Sequence, residues 1–227
     1  IGALVVEGQQ RYSADLVRRF ARLRPGADYA QAQLVEAQQR LSDSGYYDAA
    51  YLSLDTGSDP AHAVVRAKVK EARRQKAVFG VGASTDSGTR LSAEHSYNQV
   101  PGIDWRAVNK VTLARDAQTF ASDWTSQPGE DAWRCAASAL LERNRVGEID
   151  LSTQRYRGRR FATEASLDQG YYLQFERTQA NYREMDQHTA NEAVSANYSF
   201  ALRRFDSTPF PSSGWGLGGE FGAGSVL

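Results

Sequence analysis

The sequence predicts a small α+β domain followed by a long array of antiparallel strands. Three observations carry this. Residues up to Glu71 read strand, helix, helix, strand, strand; from Ala77 onward apolar and polar residues alternate with a period of two; and no convincing helix follows. In 227 residues the chain has room for one large domain, or for a small domain plus a larger one. Positive and negative side chains number 27 each, so no global field argues for nucleic acid or an acidic substrate. The N-terminus lacks the charged and apolar regions of a signal peptide, and no apolar run is long enough for a spanning helix. A membrane barrel stays open, because its strands alternate and keep the mean hydropathy low.

The first element is the short apolar strand "ALVVEG", ended by Gly8. In "YSADLVRRFARLRPG", Ser13 is placed to cap a helix whose apolar face is Leu16, Phe20 and Leu23, with Pro25 and Gly26 as the stop. "DYAQAQLVEAQQRLSDSG" repeats the logic. Asp28 and Gln31 have the spacing of a capping box, Leu34, Ala37 and Leu41 share a face, and Gly45 falls at C′. Two strands close the domain, "AAYLSLD" and "HAVVRAKVK", joined by the turn-forming "TGSDP". In the second, Ala63, Val65, Ala67 and Val69 alternate with Val64, Arg66, Lys68 and Lys70, which predicts a half-buried strand. Pattern alone leaves a small α+β domain of open use. After Glu71, "ARRQK" reads as a polar, basic connector, a solvated linker.

The remaining runs are "AVFGVGASTD", "RLSAEHSYN", "AVNKVTLA", "QTFASDWTS", "AWRCAASALLE", "IDLSTQRYRGRRF", "YYLQFERTQANY", "AVSANYSFALRRF" and "GWGLGGEFGAG". They make about nine strands, many near the ~10 residues a tilted strand needs to cross a bilayer. Asp86, Ser87 and Gly88 supply a tight turn between the first two. Val194, Ala196, Tyr198, Phe200 and Leu202 illustrate the apolar face, and Ser195, Asn197, Ser199 and Arg203 the polar one. Trp105, Trp124, Trp133 and Trp215 all fall near strand ends, where an aromatic girdle would lie. The same alternation suits a soluble sandwich with its apolar face inward; strand length and the tryptophans weigh against it.

Specific residues sharpen both halves. "EG" after the first strand, "LRPGADY", "QRLSDSGYYDAAYLSLD" and the closing "VKE" resemble a POTRA domain, the periplasmic module of the BamA and TamA superfamily, with Gly45, Tyr46 and Tyr47 as the best marker. "GVGASTDSGTR" resembles the opening hairpin of TamA-type barrels, with Ala83 replacing a tyrosine, and "YNQVPGIDWRA" resembles the short periplasmic turn that follows. The resemblance implies a POTRA domain over residues 1–72, a linker over 73–76, and the N-terminal part of an outer-membrane β-barrel over 77–227. The barrel is incomplete, so the sequence is expected to be a fragment with further modules before it and strands after it.

The resemblance also implies a function: a TamA-like assembly factor in the outer membrane of a Gram-negative bacterium, its N-terminal domain in the periplasm. It would insert or export β-barrel or autotransporter clients through a lateral seam, without enzymatic chemistry. The seam strand would be Phe79, Gly80, Val81, Gly82, Ala83 and Ser84, loosened by its glycines; Gly45, Tyr46 and Tyr47 would dock clients or a partner. Implied partners are unfolded outer-membrane proteins, an inner-membrane TamB-like protein and outer-membrane lipid, with no cofactor, metal or nucleic acid. Alternatives are a two-partner-secretion transporter, the barrel anchor of a secreted hydrolase, and a soluble β-rich binding protein.

Other signals read as structure. His62, His95 and His188 lie in different elements without ligand spacing. Cys135, on an apolar face, has no identifiable partner base and reads as packing or lipid contact. The cluster Arg155, Arg157, Arg159 and Arg160 could bind phosphate, but reads first as lumen arginines paired with carboxylates such as Glu142, Glu164 or Glu176.

Overall fold

The computed structural model describes residues 2–26, 28–55, 63–84, 88–164, 166–183, 187–206 and 212–227. The predicted turns at Asp55 to Pro60 and at Asp86 and Ser87, and the position of His62, fall wholly or mainly outside these residues. The N-terminal domain comprises β1 (Leu4–Glu7), α1 (Ala14–Ala21), α2 (Gln31–Asp43), β2 (Tyr47–Asp55) and β3 (Val64–Glu71). Its sheet has the order β1-β3-β2, with β1 parallel and β2 antiparallel to β3.

Ser13 caps α1 as expected, its Oγ accepting from the Leu16 amide at 3.2 Å. The helix then stops at Ala21, short of Pro25 and Gly26. The stop comes from Arg22, which takes a left-handed conformation (φ 53°), a backbone that costs a non-glycine residue about 1 kcal/mol. Arg40 of α2 offsets the loss by donating to the last carbonyls of α1, Nε to Phe20 O at 3.2 Å and Nη2 to Ala21 O at 2.7 Å. The capping box expected at the start of α2 does not form. Ala30 is the N-cap and makes no side-chain bond, so Gln31 opens the helix instead of closing a box with Asp28. Packing sets this helix: Leu34, Ala37 and Leu41 are its buried residues, and they meet Leu16, Val17, Phe20, Leu52, Val65 and Ala67 in one core. Each leucine, valine or phenylalanine of this core contributes about 1.5–3 kcal/mol on burial. The predicted inward residues of β3, from Ala63 to Val69, are all buried, while Arg66, Lys68 and Lys70 face water. Gly45 follows the C-cap with φ +77°, as its C′ position requires.

The rest of the chain is a second sheet of nine strands in sequence order. These are β4 (Gln75–Ser84), β5 (Gly88–Tyr97), β6 (Arg106–Ala114), β7 (Ala117–Thr125), β8 (Arg134–Val146), β9 (Ile149–Thr163), β10 (Leu167–Tyr182), β11 (Gln187–Phe205) and β12 (Gly214–Val226). Every neighbouring pair is antiparallel. The sheet is not closed: among the described residues β4 pairs only with β5, and β12 only with β11. β4 begins at Gln75, so half of the residues expected as a linker already belong to the strand.

Cross-strand partners share a face, and the register therefore sorts the side chains into two sets. One set carries the row Phe79, Ala93, Val111, Phe120 and Leu141, and further along the sheet the rows Ala139, Tyr156, Phe175, Val194 and Ala137, Gly158, Leu173, Ala196. This face is open: Phe79 is 80% and Val81 81% exposed. Among the described residues no second sheet covers it. From Val194 to Leu202 the apolar stretch of β11 runs about 26 Å, or roughly 20 Å of height at the tilt of barrel strands.

Candidate functional site

Three places carry the chemistry that the sequence points to: the anchored connector between the domains, the edge strand β4, and the polar face of the nine-stranded sheet.

Glu71, the last residue of β3, organises the connector. Its Oε1 accepts the backbone amides of Gln10 at 2.8 Å, Arg11 at 2.9 Å and Tyr12 at 3.0 Å, and its Oε2 takes Arg11 Nε at 2.9 Å. The carboxylate is only 6% exposed. Burial by itself would raise its pKa, but the three amides and the guanidinium outweigh burial and hold it below the usual carboxylate value. In sequence Glu71 is legible only as part of the closing "VKE" motif; its role depends on amides that lie about sixty residues away in the chain.

Tyr46 and Tyr47 are each 3% exposed. They pack edge-on against Tyr12, with ring centroids 5.2 and 5.9 Å apart, and burial raises both hydroxyl pKa values. A client therefore has no access to their rings, and the docking expected of them has no exposed side chain to work through. Gly45 lies against the second sheet. A Cβ there would stand 2.7 Å from Nε of Arg106, the first residue of β6, so the glycine admits a guanidinium from the other domain.

Asn98 completes this joint and was not singled out from sequence. It is 5% exposed. Its amide donates to Arg74 O at 2.9 Å, its Nδ2 donates to Arg73 O at 2.9 Å, and its Oδ1 accepts from Arg106 Nε at 3.0 Å. The Ala72 amide donates to Tyr46 O at 2.9 Å, and Arg11 Nη2 donates to Ala72 O. The "ARRQK" segment is thus held in place by bonds from both domains, where a solvated linker was the first expectation. Two further arginines tie α1 to turns of the sheet: Arg19 Nη1 donates to Pro128 O at 2.9 Å, and Arg22 Nη1 to Thr163 O.

β4 leads directly from this joint. Phe79, Val81 and Ala83 pair with Ala93, Leu91 and Thr89 on the apolar face; Gly80 and Gly82 pair with Ser92 and Arg90 on the other. The two glycines differ. A Cβ at Gly80 would meet Ser92 Oγ at 2.6 Å, whereas one at Gly82 would enter open space.

The polar face carries a continuous network on β9 and β10. Arg155 Nε bonds Glu176 Oε2 at 2.7 Å. Arg157 donates to Gln174 Oε1 at 3.0 and 2.6 Å and lies 4.3 Å over the Tyr172 ring. Tyr172 in turn donates to Glu220 of β12 at 2.6 Å. The expected pairing of arginines with Glu176 forms, but Arg160 is a correction. Being next to Arg159 in an extended strand, it points to the opposite, apolar side, where it bonds Asp131 at 3.1 Å. Cys135, free and exposed, lies opposite Arg160 on that same apolar side. Among the described residues no group of His, Cys, Asp or Glu is placed to hold a metal ion, and no helix is long and apolar enough to cross a membrane.

Residues 1–71 match the family model described as POTRA, surface antigen variable number repeat. The N-terminal domain is a POTRA domain. Over its whole length the chain is similar in structure to BamA from Haemophilus ducreyi lacking POTRA domains 1–3, with 15% identity, a TM-score of 0.60 and 48% of that chain covered. CdiB from Acinetobacter baumannii is also similar, with 9% identity, a TM-score of 0.57 and 46% of its chain covered. The chain thus spans about half the length of these structures, and the likeness establishes the fold: a POTRA domain joined to part of a barrel wall. A search of curated protein sequences finds no match.

Proposed function

We propose that this chain is part of an outer-membrane protein that inserts or exports other proteins, with the POTRA domain in the periplasm and the nine-stranded sheet forming barrel wall in the outer membrane of a Gram-negative bacterium. The observation that carries the reading is the joint: an anchored POTRA domain feeds straight into an edge strand whose apolar face is bare and whose far backbone edge has no partner among the described residues. Such an edge offers amides and carbonyls to an incoming strand. Among the described residues β2 is an edge of the POTRA sheet with no strand beyond it, and apart from the Leu52 amide, which donates to Gln38 Oε1 at 3.2 Å, that edge gives a second place where an extended client can add. A TamA-like factor with a TamB-like inner-membrane partner is the finer form of this proposal.

A photo-crosslinker at Val81, in the full-length protein in cells, tests it. Adducts with several nascent outer-membrane proteins are expected. Adducts with one dedicated secreted passenger would favour the two-partner-secretion alternative, and absence of any client adduct from membrane-inserted protein would sink the proposal.

A further inference from the structure

The apolar face of the sheet carries one feature that insertion of clients does not need. Arg160 projects from this face near the end of β9 closest to the POTRA domain. Its Nη2 bonds Asp131 at 3.1 Å, and its guanidinium lies 5.3 Å over the Trp133 ring, which is itself 5.7 Å from the ring of Tyr171. The charged pair is open, the two side chains being 48% and 55% exposed. Asp131 engages one of the five N–H donors of the guanidinium. An ion pair beside two aromatic rings, at the rim of a mainly apolar face, is costly to place against hydrocarbon and complementary to a head group that carries both charges.

We propose that Arg160, Asp131, Trp133 and Tyr171 form a binding site for a phospholipid whose head group carries a primary ammonium beside its phosphate, of the phosphoethanolamine type. The proposal rests on the reading that this face meets lipid. The phosphate oxygens take the free donors of Arg160, which match phosphate geometry. The ammonium donates to Asp131, whose two oxygens retain lone pairs after accepting from Arg160 and from the Trp133 amide at 3.1 Å. The rings cover the glycerol region, where indoles settle in membranes. A trimethylated head group is a poor substitute. It has no N–H for Asp131, and the Trp133 face that would attract it already holds the Arg160 guanidinium.

The same rim supplies an internal control. Arg204 of β11 stands opposite Trp215 of β12 on the same face, but no acidic side chain is bonded to it among the described residues. It can take a phosphate without discriminating the amine.

The test uses the full-length protein with Trp133 as sole reporter in this region (Trp105→Phe, Trp124→Phe, Trp215→Phe), folded into phosphatidylcholine bilayers containing a fixed fraction of acyl-brominated phosphatidylethanolamine or acyl-brominated phosphatidylcholine. Quenching by neither lipid would overturn the lipid-facing reading and the site with it. Quenching by both, with the ethanolamine lipid about threefold more effective, is the expected result, the size of one exposed ion pair. Equal quenching would overturn the site alone. Asp131→Asn, in an exposed turn, should abolish the preference, and Arg160→Gln should weaken it if that variant folds; a preference that survives Asp131→Asn overturns the site. With Trp215 as reporter in place of Trp133 no preference is expected, and an equal preference there would also refute the assignment.

Discussion

The POTRA domain and the nine-stranded sheet use the same alternating code in opposite senses. In β3 the apolar residues Val65 and Ala67 are fully buried beneath α1 and α2. In β10 and β11, Leu173 and Val194 stand in the open with no covering layer among the described residues. The difference teaches that alternation specifies two faces and leaves their solvent undetermined. The covering elements decide, and here they are two helices for one sheet and, on the proposed reading, hydrocarbon for the other.

The strongest way to break this comparison is to truncate the POTRA core. Leu41→Ala, at a position with no exposure, should destabilise that domain by about 4 kcal/mol, read as a lowered urea midpoint of the POTRA transition, with the sheet's transition unmoved. Next comes Leu173→Arg. In a bilayer it should cost about 3 kcal/mol, as arginine does on the lipid face of barrels; in detergent-free water the same exposed residue would tolerate it, so a negligible change in bilayer stability would overturn the assignment of that face. Glu71→Gln should cost about 2 kcal/mol by weakening charge-assisted bonds.

The pH dependence at Glu71 has a definite sign. Its folded pKa is depressed, so its contribution is complete above the unfolded value of about 4.3 and is lost as pH falls through the lower folded value. Acid titration of POTRA unfolding should show this loss below about pH 4 in the parent and much less of it in Glu71→Gln. Gly45→Ala should cost about 1 kcal/mol from the positive φ alone. It should also displace Arg106, which protease sensitivity of the 72–74 segment would report. Gly82→Ala should be nearly neutral for stability, within ~0.5 kcal/mol, because a Cβ there meets nothing; any loss of client crosslinking would then report on the seam and not on folding.

Element order, the strand faces and the strand count were legible because each depends on residues close together in the chain. Ser13, Gly45 and the β3 alternation act within one turn or one strand. The start of α2 was not legible: Asp28 offers a cap, but the packing of Leu34, Ala37 and Leu41 sets where the helix lies. Arg160 departs from the cluster of four arginines because a strand sends neighbours to opposite sides, so proximity in sequence does not place Arg159 and Arg160 on one face. Asn98, Arg106 and Glu71 were invisible as a joint, since their partners come from another domain or another strand. Tyr46 and Tyr47 are both buried, so residues that mark a domain in sequence can belong to its core as readily as to its working surface.

The tryptophans have a practical consequence. Trp105 and Trp133 each precede a strand that runs away from the POTRA domain, Trp124 nearly ends one that returns, and Trp215 nearly begins the last. All four indoles of residues 1–227 therefore gather at a single rim, and on the proposed topology the emission of this segment is a one-sided depth gauge. A quencher confined to the periplasmic leaflet should dim nearly all the emission of these four indoles, and one confined to the outer leaflet almost none of it.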